Sequence, residues 1–126
     1  MGNNMNISNA EMKVMNHIWE AGEMVTVPDM VTILNEEGEE WAYQTVATFL
    51  RRLEAKGFLA TTKQGKKLCY FPLISKEQYE KNEAEGFIES KFGGSLKNFL
   101  VAFRGSEKIG KNDIEDLKAW LDEFDD

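Results

Sequence analysis

Residues 43–73 read YQTVATFLRRLEAKGFLATTKQGKKLCYFPL and carry the clearest secondary-structure signal in the chain. An amphipathic helix is predicted from about Tyr43 to Lys56, and Gly57 follows as a helix stop. Apolar side chains recur at helical spacing and are expected to face a core. They are Val46, Phe49, Leu50 and Leu53.

The other side of this helix is polar in its first turns and cationic in its last turn. Such a surface suits a helix whose N-terminal half enters the major groove of DNA. An ordinary helix with a solvated polar face gives the same pattern. The candidate DNA contacts on this helix are Tyr43, Gln44, Thr45, Thr48, Arg51 and Arg52.

Two short runs rich in apolar and β-branched residues follow, at residues 58–62 and 68–73. They flank residues 63–67, KQGKK, which form a turn-like stretch with a central glycine. This arrangement predicts a β-hairpin with a basic tip, and Pro72 marks the end of its second strand. Lys63, Lys66 and Lys67 are candidates for binding phosphates or reaching the minor groove.

Two more helices are predicted before residue 43. Residues 8–11, SNAE, form a capping box, and a second helix opens at Thr26 with Met30, Ile33 and Leu34 as its apolar stripe. Three helices followed by a basic hairpin is the order of a winged helix-turn-helix. Residues 1–74 are therefore predicted to be a DNA-binding domain with the third helix as its recognition helix.

Charge is distributed unevenly along the chain. The net charge is −7, which by itself disfavours nucleic acid. Residues 51–67, however, hold six basic side chains and one acidic one, whereas residues 74–126 hold 8 basic and 13 acidic ones. The basic stretch is either a surface directed at DNA or a solvated face.

Residues 75–126 are predicted to form a second domain of about three helices. A unit this small is marginal as an independent core, so its apolar stripes are expected to pack against a second copy. Packing back onto the first domain is the alternative. The candidate dimerisation residues are Phe87, Ile88, Phe92, Leu96, Phe99, Leu100, Phe103, Ile114, Leu117, Trp120 and Leu121, and Phe124 extends the last stripe.

The sequence contains few residue patterns that would indicate an enzyme or a metal site. His17 is the only histidine and Cys69 the only cysteine, and neither lies in a pattern with metal-ligand spacing. We therefore predict no catalytic residues, no metal and no cofactor. Residues 1–6 lack the features of a secretory signal, and no apolar run suits a membrane span, so a cytoplasmic location without membrane insertion is expected.

Taken in order, several segments resemble the penicillinase-repressor family of the BlaI/MecI/CopY type. The similarity covers about residues 7–121 and rests on order and spacing rather than on one diagnostic motif. Residues 42–45 read AYQT where other members read Ser-Pro-Lys-Thr, so the resemblance does not fix the base preference. The segments are residues 7–19 (ISNAEMKVMNHIW), 41–48 (WAYQTVAT), 50–58 (LRRLEAKGF), 91–95 (KFGGS) and 113–117 (DIEDL).

This resemblance implies a dimeric repressor that binds dyad operators in promoters. In the β-lactam branch of the family, a membrane sensor-protease triggers cleavage of the repressor in its C-terminal domain. By position the matching bond lies in a short predicted helix that begins at Ser95, near Ala102–Phe103, where the best-known members have Asn-Phe. The copper-responsive branch carries a Cys-x-Cys tail that this chain lacks.

The combined prediction is a mostly α-helical protein with a small β-hairpin wing and a helical dimerisation domain. We expect it to act as a dimeric repressor on a palindromic operator in double-stranded DNA. The alternative is a winged helix that binds another protein and does not read a DNA sequence.

Overall fold

The computed structural model describes residues 7–123. The predictions for residues 1–6 and for Phe124 lie outside these residues. The chain divides into two compact units, residues 1–80 and 81–126. The predicted domain boundary lies after residue 74, and this domain assignment stays a prediction.

The first unit begins with three helices: α1 (Asn9–Ala21), α2 (Val27–Glu36) and α3 (Tyr43–Ala55). The predicted capping box is present at Ser8, and Thr26, predicted only as a helix start, forms a second one; each hydroxyl accepts from the backbone N–H three residues on. Helix α3 ends as expected, because Gly57 follows its C-cap with a φ of +88° that favours glycine.

One apolar core holds these elements together. Each of the three helices buries one side in it, as the helical spacing predicts. Strand residue Tyr70 pairs with Val25 in an isolated antiparallel bridge, which attaches the hairpin to the loop between α1 and α2. The core residues are Val14, Met15, Ile18, Val25, Met30, Leu34, Val46, Leu50, Leu53, Leu59 and Tyr70.

The hairpin consists of β1 (Leu59–Gln64) and β2 (Lys67–Pro72), paired antiparallel. The predicted five-residue turn is wrong in length, because only Gly65 and Lys66 connect the strands. Gly65 has a φ of +66° and Lys66 does not have a positive φ, which is the pattern of a type II′ turn. Lys63 and Lys67 therefore lie at the strand ends rather than in the turn.

Residues beyond the hairpin still belong to the first unit. The indole Nε1 of Trp19 donates to the Ile74 carbonyl at 2.9 Å. The ring of Tyr79 lies 5.6 Å from that of Trp19 and 5.9 Å from that of Phe58, measured between centroids. These contacts pack the first turn of the next helix onto the core, which accounts for a unit that extends to residue 80.

The three predicted C-terminal helices are present as α4 (Lys76–Phe92), α5 (Leu96–Val101) and α6 (Lys111–Asp122). An aromatic cluster joins the end of α4 to α5, with centroid distances of 5.2–6.1 Å. None of these three helices has a buried residue within the described part of the chain. The cluster consists of Phe87, Phe92, Phe99 and Phe103.

Among residues 7–123, no helix is long and apolar enough to cross a membrane. The longest, α4, has 17 residues and carries charged side chains throughout.

Candidate nucleic-acid interface

The outer side of α3 presents most of the predicted contact residues to solvent. Gln44, Thr45, Arg51 and Arg52 are exposed, and Tyr43 is 53% exposed at the start of the helix. These positions avoid the buried side because residues 46, 47, 50 and 53 pack on the core. The helix therefore offers hydroxyl, amide and guanidinium groups along one surface, which are the groups that contact base edges and phosphates.

Thr48 is half-buried and takes part in a local hydrogen bond. The guanidinium Nη2 of Arg51 donates to the Thr48 hydroxyl at 3.3 Å. Four N–H donors remain on the Arg51 guanidinium for other partners, because the group carries five. The contact orients a cationic group beside the hydroxyl.

A shallow, open concavity of about 270 Å³ lies on this surface, and Phe49 lines it. The prediction that Phe49 simply faces the core is therefore incomplete: its ring is half-buried and lies 5.2 Å from that of Trp41. The sequence did contain a signal for this position, because Phe49 shares i, i+3, i+4, i+7 spacing with Thr45, Thr48 and Arg52 on one side of the helix. The lining residues are Gln44, Thr45, Thr48, Phe49 and Arg52.

The N-terminus of α3 differs from those of α1 and α2. Its N-cap is Ala42, which makes no side-chain capping hydrogen bond. The first-turn N–H groups of α3 are thus left without a side-chain acceptor from the N-cap. They lie beside Tyr43 and Gln44, at the end of the helix that is predicted to enter the groove.

The wing carries its lysines at exposed positions. Lys66 lies in the turn, and Lys63 and Lys67 lie at the adjoining strand ends. The Thr61 hydroxyl donates to the Glu54 carboxylate at 3.2 Å, which links β1 to the last turns of α3. The wing and α3 therefore belong to one packed unit with cationic groups on both elements.

Lys56 is the exception within the basic stretch. Its Nζ lies 2.7 Å from Oε1 of Glu11, a carboxylate that is only 2% exposed. Burial by itself raises the pKa of Glu11, but the hydrogen bonds and charge from Lys56 and Ser8 outweigh it, so the pKa is lowered. Lys56 lies in the basic stretch of the sequence, whereas in the folded chain its charge pairs with that of Glu11. The two residues are 45 positions apart in the sequence, so no local pattern could predict that they pair.

The predicted dimerisation residues all lie in the second unit and none is buried. Ile88, Phe92, Phe99 and Leu117 are half-buried, and the remaining seven are exposed. Leu96 and Leu100 line an open apolar concavity of about 490 Å³ on α5, together with Lys97, Val101 and Arg104. The exposed residues are Phe87, Leu96, Leu100, Phe103, Ile114, Trp120 and Leu121.

The predicted cleavage position lies at the end of α5. Helix α5 ends at Val101, Ala102 is its C-cap, and Phe103 follows in a turn. Ala102 is exposed and Phe103 is 39% exposed, with its ring 5.2 Å from that of Phe99. The bond thus follows the short helix rather than lying within it.

His17 and Cys69, the side chains considered for an enzyme or a metal site, lie on α1 and β2. No group of three or more histidine, cysteine, aspartate or glutamate side chains within residues 7–123 is arranged to hold a metal ion. Cys69 is buried in β2. The Nδ1 atom of His17 lies 3.5 Å from an exposed carboxylate, that of Glu20, and the two residues are one helical turn apart on α1.

Comparison with known proteins matches the chain to one protein family over most of its length. The sequence profile of the family described as penicillinase repressor matches residues 7–123. The chain is 26% identical over 115 residues to the methicillin resistance regulatory protein MecI of Staphylococcus aureus, covering 91% of this chain and 92% of MecI. It is 28% identical over 117 residues to the penicillinase repressor of Bacillus licheniformis, covering 93% and 90%.

A solved structure resembles the chain as well. It is the solution structure of the monomeric form of Bacillus licheniformis BlaI in complex with the blaP half-operator. The TM-score is 0.50 with 32% identity, over 60% of this chain and 89% of that one. The predicted fold class, a winged helix with additional helices, is confirmed.

Proposed function

The chain belongs to the penicillinase-repressor family, and we propose that it is a homodimeric transcriptional repressor that binds a two-fold symmetric operator in double-stranded DNA. The observation that carries the proposal is the exposed polar and cationic surface of α3 beside a basic wing. A helix in the major groove and a wing on the backbone would exclude RNA polymerase sterically, with no chemical step.

Roles follow from the chemistry of each side chain. Thr45, Thr48 and Gln44 are placed in the concavity on α3 and are assigned to base edges or adjacent phosphates. Arg51 and Arg52 are assigned to the backbone, and Tyr43 to a contact beside the N-terminus of α3. Lys63, Lys66 and Lys67 bind phosphates from the wing. Phosphate contacts fix the register of the protein, while base contacts specify the sequence.

Dimerisation is assigned to the second unit. Its helices expose large apolar side chains such as Leu96, Ile114 and Trp120, each at least 46% exposed. An apolar surface of this kind usually marks an interaction site. A second copy would cover it through a two-fold interface and would bring two recognition helices to the two halves of a palindrome.

Release from the operator is assigned to proteolysis in the second unit, triggered by a membrane sensor-protease. The exposed Ala102–Phe103 bond supports this assignment, although alanine stands where relatives carry asparagine. The test is an immunoblot of the producing cells before and after exposure to a β-lactam. A shortened chain ending near residue 102 is expected, and the Ala102→Asn variant, which carries the family pair, should be shortened faster. An intact chain in both strains would contradict this release mechanism.

A gel-shift titration with DNA from the chain's own promoter region tests the central proposal. The titration is repeated at two salt concentrations with a scrambled competitor. A discrete shift that survives the competitor and weakens steeply with salt is expected. Loss of the shift to the competitor would mean non-specific binding, and no shift at low salt would favour a protein-binding winged helix instead.

A further inference from the structure

Phe49 is an aromatic side chain that lies among the polar residues on the outer surface of α3. It shares one side of the helix with Thr45, Thr48 and Arg52, at i, i+3, i+4 and i+7 spacing. The same four residues line the open concavity of about 270 Å³. The Phe49 ring thus forms an apolar wall in a concavity that otherwise presents hydroxyl, amide and guanidinium groups.

The Phe49 ring is held in place. It packs against the ring of Trp41 at 5.2 Å with a tilt of 55°, and it contacts the core from outside. A half-buried ring with a fixed neighbour loses little side-chain entropy when a ligand meets it. The remaining accessible part of the ring is therefore a pre-organised apolar surface.

The chemistry of the concavity selects one base edge. In the major groove thymine presents an acceptor oxygen and a 5-methyl group, and phenylalanine is among the side chains that contact this methyl group. Cytosine has no methyl group at this position, and neither purine presents a methyl group in the major groove. Arg52, which lines the same concavity, supplies the positive charge that complements the adjacent phosphates.

Resting on the proposed function, we propose that Phe49 is a specificity-determining residue that contacts the 5-methyl group of a thymine in each half of the operator. Threonine methyl groups also contact thymine, so Thr45 and Thr48 are the competing candidates. The Thr48 hydroxyl already accepts from Arg51 at 3.3 Å. The accessible part of the Phe49 ring is a larger apolar surface than one threonine methyl group, and its packing on Trp41 holds it in the concavity.

The test removes the methyl group from the DNA and the ring from the protein. The promoter fragment is prepared with thymidine or with deoxyuridine, which lacks the 5-methyl group, and the affinity of the full chain for each is measured. The wild-type chain should bind the uracil fragment about fourfold less tightly for each methyl group contacted. In Phe49→Ala the ratio of the two affinities should fall close to one.

The ratio separates recognition from folding, because a reduced folded fraction lowers both affinities equally. If Phe49→Ala does not fold, Phe49→Leu is used, and its shorter side chain should give a smaller ratio than the wild type. Phe71→Ala, at a half-buried position on β2, is the matched control and should keep the wild-type ratio. Thr45→Ser removes a methyl group and retains the hydroxyl, so it tests whether the Thr45 methyl group makes the contact instead.

Each outcome has one meaning. A wild-type ratio near one, or a ratio that persists without the Phe49 ring, overturns the role of Phe49 and leaves the proposed repressor function standing. A ratio lost in Thr45→Ser assigns the methyl contact to Thr45 and also overturns the proposal. Failure of the wild-type chain to bind either fragment overturns the proposed function itself.

Discussion

Cationic side chains that are candidates for phosphate binding lie on both α3 and the wing. Arg51 is one of those on α3, and Lys66 is one of those on the wing. We expect Arg51→Gln and Lys66→Gln to flatten the dependence of DNA affinity on salt. Each phosphate contact that is lost lowers the log–log slope by about 0.9, and each occurs twice in a dimer. Affinity measured by fluorescence anisotropy over a salt series checks this prediction.

Lys118→Gln is the control for these variants, since Lys118 is an exposed lysine on α6. Its salt slope should match that of the wild type. Unchanged slopes in Arg51→Gln and Lys66→Gln would contradict phosphate binding by α3 and the wing.

The buried Glu11–Lys56 pair gives the stability of the first unit a defined dependence on pH. The pKa of Glu11 is lowered in the folded chain, so its contribution is complete above the ordinary value of 4.5 and is lost as the pH falls through the lowered value. Glu11→Gln keeps the capping acceptor but loses the charge, and we expect it to cost about 1.5–3 kcal/mol at neutral pH. Urea denaturation at several pH values measures the difference.

The difference in the free energy of unfolding between the wild type and Glu11→Gln should shrink at acidic pH. The wild type loses stability when the Glu11 carboxylate is protonated, whereas the variant has no carboxyl group at this position to protonate. Glu23→Gln, at an exposed position, should leave the free energy of unfolding nearly unchanged across the same range. A cost of Glu11→Gln that stays constant down to strongly acidic pH would contradict the assignment of the lowered pKa to this pair.

Gly65 in the wing and Gly86 in α4 allow the effect of an alanine substitution on stability to be compared between a turn and a helix. Gly65 has a φ of +66° in the turn of the hairpin, whereas Gly86 lies inside α4 without a positive φ, and neither has an atom within 4 Å of an added Cβ. We expect Gly65→Ala to destabilise the first unit by about 1–2 kcal/mol, because the alanine is strained there. Circular dichroism during thermal unfolding reports this loss.

Gly86→Ala is the matched substitution and should have the opposite sign. Alanine in a helix interior is favoured over glycine by about 0.5–1 kcal/mol, so α4 should become more stable. If both substitutions changed the stability equally, backbone conformation would not be what determines their effect.

Secondary structure was predictable to the extent that the signals are local. The capping box at Ser8 and the cap residue Thr26 gave correct helix starts, and Gly57 gave the end of α3, because each depends on residues within one turn. The length of the wing turn was not predictable in the same way. A two-residue connection depends on the register of both strands, so KQGKK could not by itself show which lysines join the strands.

The candidate site was predictable only in part, for a related reason. The polar face of α3 follows from helical spacing, but Phe49 lies at the margin between the two faces, where spacing alone does not decide exposure. The pairing of Lys56 with Glu11 depends on how α1 packs against α3. Tertiary contacts of this kind have no signature in a single sequence.

At the scale of the molecule, the two units differ in how far they bury their own apolar residues. The first has a core of fully buried side chains, whereas the described part of the second has none. We expect Leu96→Asp, at a 55% exposed position on α5, to convert a dimer into a single chain. Sedimentation velocity should show the mass of two chains for the wild type and of one chain for the variant.

Met24→Asp is the matched control, because Met24 is 43% exposed but belongs to the first unit. It should remain dimeric. A wild-type chain that sediments as one chain at micromolar concentration would contradict the proposed dimer.

The absence of buried side chains in the described second unit also bears on gene dosage. Where the DNA-binding form assembles from two copies that associate reversibly, its concentration at low abundance rises with the square of the concentration of chains in the cell. A twofold drop in synthesis would then leave about a quarter of the assembled form. Dilution of the chain during a burst of growth would by itself loosen control of the target gene, before any signal arrived.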